Sequence, residues 1–98
     1  MGKIYVGQSK LTIEVDCKGS ISGVQSQRIG FKKPNNSMGS WVATLVNENT
    51  GIISYQITDE NIIDEAGNWA IWADLTFNDG RKLVGEPSKL IVYNVGQL

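Results

Sequence analysis

Histidine is absent from this 98-residue chain, and cysteine occurs once, at Cys17. Ser/His/Asp and Cys/His nucleophilic sites therefore cannot be built. One thiol and no imidazole also cannot close a zinc site. With no base to activate it, Cys17 reads as a plain, partly buried thiol. The remaining candidates for chemistry are acids. Asp59, Glu60, Asp64 and Glu65 cluster in sequence, but a paired-carboxylate hydrolase needs two acids converging in a cleft. The ligand pattern of an EF-hand is missing. These acids read as a solvated corner, which Asp64 is expected to brace by accepting backbone N–H groups. A calcium ion is the alternative use. The eleven glycines sit mostly at turns, and none forms a phosphate-binding loop. The expectation is no enzyme and no cofactor.

What remains is recognition. Three tryptophans stand at 41, 69 and 72. Trp41 and Trp69 fall on parities that point into a core. Trp72 falls on the opposite parity of a central strand. An outward Trp is either covered by a neighbouring segment or serves as a binding hot spot. In the second case Trp72 is the best interface anchor in the chain, with Val42, Val46 and Val84 as members of its patch. Arg28, Lys32 and Lys33 form a small basic cluster. Its aromatic neighbour Phe31 points inward, so no stacking platform for nucleic acid adjoins it. The cluster reads as a solvated strand face or a contact for an acidic protein surface.

The composition agrees with a binding or structural role. Formal net charge is −1 and hydrophobic content 41%, which gives no global pull on nucleic acid or membrane. The charge is uneven, with +3 over residues 1–49 and −4 over 50–98. Ninety-eight residues make one domain, spanning 1–98. A lone cysteine excludes an internal disulfide and fits a reducing compartment. No long apolar segment opens the chain as in a signal peptide, and Val6 breaks the myristoylation pattern begun by Met1-Gly2-Lys3. No run approaches the roughly 18 apolar residues of a membrane span.

The elements that must position these residues are strands. Trp69, Ile71, Ala73, Leu75 and Phe77 share one face; Trp72, Asp74 and Thr76 share the other. Leu11, Ile13 and Val15 alternate with Thr12, Glu14 and Asp16. Val24 to Lys33 sets Ile29 and Phe31 inward, Arg28 and Lys32 outward. Ser40 to Val46 reads as one strand with Trp41, Ala43 and Leu45 on one side. Ile4–Val6, Ile53–Ile57, Arg81–Val84 and Ser88–Val95 complete the set, and Pro87 marks a bulge, an edge or a sheet crossing. Asn47 to Gly51 is a hairpin loop. Thr58 to Asp64 reads as a capped, short helical turn. Asp79-Gly80 reads as a primed hairpin turn, and Gly67 and Gly80 as residues with positive φ. Leu11, Ile13, Ile29, Phe31, Trp69, Ile71 and Leu75 are the expected core, with Trp41 joining them. Seven to eight short strands with this punctuation predict an all-β, immunoglobulin-like antiparallel sandwich.

Three segments carry a resemblance over residues 4–93. They are Lys33-Pro34-Asn35, the corner Asp64-x-Ala66-Gly67-x-Trp69, and Phe77-x-Asp79-Gly80-Arg81. In order and spacing the chain resembles the small immunoglobulin-like virion domains of tailed bacteriophages. Its layout is similar to the N-terminal domains of baseplate upper proteins and to short phage structural proteins. In many such domains Gly follows Pro-Asp or Pro-Asn; here Asn36 stands there. The resemblance implies a non-enzymatic virion component, assembled in the host cytoplasm: a capsid decoration or cement protein, or a neck, tail or baseplate module. Its partners would be other phage structural proteins, with a homo-oligomer possible and nucleic acid and membrane not expected. The rival reading is an adhesion or carbohydrate-binding module that sets Trp72 or Trp41 against a host-surface glycan.

Overall fold

The structure is a computed structural model that describes residues 3–96. Met1 and Gly2, on which the reading of the chain start partly rests, lie outside the described residues. Alternating apolar residues build nine strands: β1 (Ile4–Tyr5), β2 (Leu11–Asp16), β3 (Val24–Lys32), β4 (Met38–Val42), β5 (Thr44–Asn47), β6 (Ile52–Ile57), β7 (Gly67–Phe77), β8 (Lys82–Val84) and β9 (Ser88–Tyr93). No helix occurs among the described residues. One sheet has the order β1-β9-β7-β3-β4, with β8 also paired to β7; the other has the order β2-β6-β5. This is the immunoglobulin-like sandwich, with each sheet giving its apolar face to a shared core.

Three details differ from the sequence expectation. The first sheet is mixed, because β1 pairs with β9 in parallel. Gly7, at φ 83°, turns the chain out of that short pairing towards the second sheet. Ser40 to Val46 is not one strand but two, β4 and β5, in different sheets. Ala43 is the crossing point: its N–H donates to the Gln27 carbonyl at 3.0 Å, and its carbonyl accepts from Gln27 Nε2 at 2.9 Å. Gln27 thus satisfies the backbone where it leaves one ladder for the other. Thr58 to Asp64 forms turns rather than a helix. Asp59 still caps, accepting from the Asn61 N–H at 2.8 Å. The return from β7 is divided at Gly85-Glu86-Pro87, as proline predicts. There the Gly85 N–H still reaches the Ala73 carbonyl at 2.8 Å.

The core is led by Trp69, Ile21, Ile29, Ile53, Ile57, Ile63 and Leu75, all almost fully buried. Ile13 and Ile71 are buried as expected. Leu11, Phe31 and Trp41 are only half-buried. Leu11 lies on an edge strand, while Phe31 and Trp41 lie towards the β4 edge. There Trp41 stacks with Phe31 at 4.6 Å and with Tyr55 of the opposite sheet at 5.1 Å. These contacts join the two sheets through ring faces.

Candidate functional site

Register decides which side chains meet on a sheet, since one residue of slip moves a side chain to the other face. On the larger sheet, Arg28 lies opposite both Val42 and Asp74, and Asp74 lies opposite Val84. Two residues along, Gly30 lies opposite Ser40 and Trp72. Two further, Lys32 lies opposite Met38 and Ala70, and Ala70 opposite Lys89. All five interface candidates, Trp72, Arg28, Lys32, Val42 and Val84, therefore share the outer face. Val46 does not join them; it stands on β5 in the other sheet.

No other described element packs over this outer face. Val42 and Val84 are 66% and 65% exposed, and Met38 67%, a degree of exposure that sets them outside the core. Ile91, opposite Asn68 on the same face, is also exposed. The cations are Arg28, Lys32, Lys82 and Lys89. Asp74 is the acid within the strands. Arg28 faces Asp74 across the ladder, yet its Nε donates to Ser40 Oγ at 2.9 Å. The guanidinium is thus held beside Val42 and Ser40.

Trp72 is neither freely exposed nor covered by a loop. It is half-buried, and its indole lies across β3 directly on Gly30. A Cβ on that glycine would collide with Trp72 Cε2, Nε1 and Cζ2. Glycine here makes room for the ring, an aromatic–glycine cross-strand pair. The basic patch accordingly does adjoin an aromatic ring, contrary to the sequence expectation: Trp72 sits between Arg28 and Lys32 in register, while Phe31, their neighbour in sequence, points inward. Sequence alone hides this, because the pairing of Gly30 with Trp72 depends on register.

The two structural motifs lie at opposite ends of β7. At the corner, Gly67 has φ 127°. Asp64 does not brace it through backbone N–H groups as expected. Its Oδ2 accepts from Lys33 Nζ at 2.9 Å, and that ammonium also lies 5.6 Å from the Trp69 ring centroid. Trp69 Nε1–H donates to the Glu65 carbonyl four residues upstream, at 2.9 Å. This contact fills the place of the Tyr hydroxyl bond at immunoglobulin-like corners. At the other end, Gly80 has φ 89°, while Asn78 and Asp79 keep negative φ. The Gly80 N–H donates to the Phe77 carbonyl at 3.0 Å, and the Phe77 N–H to the Arg81 carbonyl at 2.9 Å. That is a three-residue loop with a glycine bulge, not the primed two-residue turn expected. Asp79 keeps ordinary backbone angles because its Oδ1 accepts from the Arg81 N–H at 3.0 Å.

The clustered acids converge on nothing: no three Asp, Glu, Cys or His side chains gather in metal-holding geometry among the described residues. Cys17 is half-buried, and burial, followed by the Asp16 carboxylate, pushes its thiol above the ordinary value. That direction makes a poorer nucleophile. A cavity of about 130 Å³ opens beside Ser22, Gly23, Phe77 and Arg81, well under the ~300 Å³ of a small-molecule site.

No family model matches the chain, and no curated relative does. Among solved structures, CopC from Methylosinus trichosporium OB3b is similar in fold, with a TM-score of 0.59 and 14% identity. The likeness covers 100% of this chain and 90% of CopC. At that identity it establishes a shared β-sandwich and nothing of function.

Proposed function

We propose that this chain is a non-enzymatic structural component of a tailed-phage virion that works by docking its larger sheet on other virion proteins. The observation that carries this reading is the uncovered outer face. On it, exposed Met38, Val42, Val84 and Ile91 surround an indole flanked by Arg28 and Lys32. Exposed apolar side chains grouped around an aromatic ring mark an interaction surface. The Lys33-Pro34-Asn35 turn, the tryptophan corner and the Asp79-Gly80 turn support the phage affiliation. Whether the place is capsid, neck, tail or baseplate is a matter for electron microscopy of the parent particle.

Trp72→Ala is the direct test. The variant should keep the β-sheet circular dichroism spectrum and lose affinity for assembled particles. A central Trp is worth ~2–4 kcal/mol, roughly 30- to 1000-fold in Kd. Unchanged saturable binding would remove Trp72 from the interface.

A second reading, a carbohydrate-binding module, is favoured by one observation: an indole laid flat on a glycine is a ready sugar platform. Trp41 serves that reading less well, because Phe31 and Tyr55 already stack on it. Trp72 fluorescence quenched by a glycan, with no affinity for particles, would decide for this alternative.

A further inference from the structure

The two outer faces of the sandwich carry opposite charge. On the larger sheet the outward strand positions hold Arg28, Lys32, Lys82 and Lys89 against the single acid Asp74, with Glu86 in the adjoining β8–β9 link. On the smaller sheet the inward positions are Leu11, Ile13, Val15, Ile53, Tyr55, Ile57 and Leu45. That leaves Thr12, Glu14 and Asp16 of β2, Ile52, Ser54 and Gln56 of β6, and Thr44 and Asn47 of β5 facing out, with exposed Val46 at the bulge beside Asn47. Glu14 and Asp16 are the only charges among them. Two cations, Lys10 and Lys18, stand in the bends that flank the two ends of β2. The outward strand positions thus give one face with a net positive charge and one with a net negative charge. Neither follows the split of charge along the sequence, since Glu14 and Asp16 come from its positive half and Lys82 and Lys89 from its negative half.

Resting on the docking reading above, we propose that the partner of the basic face is a second copy of this chain, presenting its acidic small sheet. The stack is head-to-tail. An isologous pairing of two basic faces would set Arg28 and Lys32 against themselves or Lys89, a repulsive arrangement. Opposed faces instead set the cations of the larger sheet against Glu14 and Asp16 of the smaller one. A head-to-tail contact of this kind repeats, closing as a ring or continuing as a filament. The acidic sheet has three strands, which at ~4.8 Å spacing is about 15 Å of width. The contact is therefore smaller than the ~800 Å² per partner of a standard interface, and a single pair is weak. Repetition along an assembly supplies the avidity.

Sedimentation of the purified chain at about 0.1–1 mM, the range in which so small an interface is populated, is the test. Weight-average mass should rise with concentration at low salt. Association should weaken roughly tenfold or more when salt shortens the Debye length from about 14 to 4 Å. Arg28→Glu with Lys32→Glu should abolish association, as should Glu14→Lys with Asp16→Lys. All four positions are exposed, but Asp16 Oδ1 accepts from the Lys18 N–H at 2.7 Å, so the Glu14/Asp16 variant should melt somewhat lower while staying folded. Glu14→Lys with Asp16→Asn, which keeps that acceptor, should lose association in part. A mixture of the two charge-reversed proteins should associate at 1:1 stoichiometry, alternating along the stack, since only then do an acidic outer face and a basic one meet. Monomer at every concentration overturns the proposal, as does association that survives either reversal, or a mixture that stays monomeric. If the chain is monomeric and yet Trp72→Ala abolishes particle binding, docking on other virion proteins stands and self-stacking falls.

Discussion

The two ends of β7 solve the same problem, reversing the chain, by different means. At its start, the corner is assembled from distant parts. Lys33 reaches Asp64 and the Trp69 ring, and Pro34 packs against Gly67, where an added Cβ would stand 2.7 Å from Pro34 Cγ. At its end, the Phe77–Arg81 turn is held mostly by its own residues, with one backbone tie outward, the Asn78 N–H donating to the Gly23 carbonyl at 2.9 Å. Asp79 holds Arg81 through both backbone and guanidinium, Arg81 lies 5.1 Å over Phe77, and no atom lies within 4 Å of a Cβ placed on Gly80. The corner is tied into the core and orients the strand within the sandwich. The turn closes the strand locally. Damage at the first should spread, and damage at the second should stay where it is made.

The largest effect should come from Trp69→Ala. The ring is 1% exposed, touches Phe31 and Trp41, and ties the corner through the Glu65 carbonyl. Its loss should cost about 3–5 kcal/mol, a large share of the ~5–15 kcal/mol available to a domain. Urea unfolding followed by circular dichroism measures it. An unchanged midpoint would erase the contrast between the two ends. Trp69→Phe keeps part of the volume but loses the Nε1–H bond, and should fall between the variant and the wild type.

Next are the two glycines, which separate backbone strain from crowding. Both hold φ in the left-handed half of the map, so Ala at either is strained. Gly80→Ala adds nothing else and should cost about 1 kcal/mol. Gly67→Ala adds a collision with Pro34 and should cost more, about 1–3 kcal/mol. Pro34→Ala in the Gly67→Ala background should recover part of the difference and leave Gly80→Ala unaffected. Equal losses at the two glycines would mean that Pro34 yields freely.

What could be read from the residues follows the same division. Strand parities are local, and they placed Trp69, Ile71 and Leu75 inside and all five interface candidates outside. Positive φ at Gly67 and Gly80 is also local in origin. Register is not local. That Gly30 lies under Trp72, or that Lys33 rather than the backbone binds Asp64, follows from pairings between strands dozens of residues apart. The strand switch at Ala43 was hidden for a subtler reason. Trp41, Ala43 and Leu45 all point into the same core from two sheets, so the alternation runs unbroken through the crossing, while Gln27 that supports it stands on another strand. The loop at Asn78-Asp79-Gly80 was placed correctly but typed wrongly. Asp-Gly permits a primed turn, yet the Asp79 carboxylate stabilises the alternative by holding the Arg81 N–H.

That carboxylate gives the smallest effect and the sharpest test of self-containment. The Arg81 backbone N–H, with the Arg81 guanidinium behind it, holds the Asp79 carboxyl below the ordinary carboxylate value. A depressed carboxyl contributes stability above its unfolded value and loses that contribution as pH falls through the folded one. Asp79 is exposed, so the contribution is slight and shows best as a titration. Carboxyl resonances followed by NMR should place the Asp79 midpoint below that of a free aspartate. Arg81→Ala should raise the midpoint only in part, since the backbone donor, the larger cause, remains. High salt should likewise remove only the charge-dependent share. The corner decides the rest. In Trp69→Ala, under conditions where it stays folded, the Asp79 midpoint should not move, because nothing in the turn leans on the corner. A return to the ordinary value in a folded Trp69→Ala protein would show that the two ends of β7 are coupled along the strand.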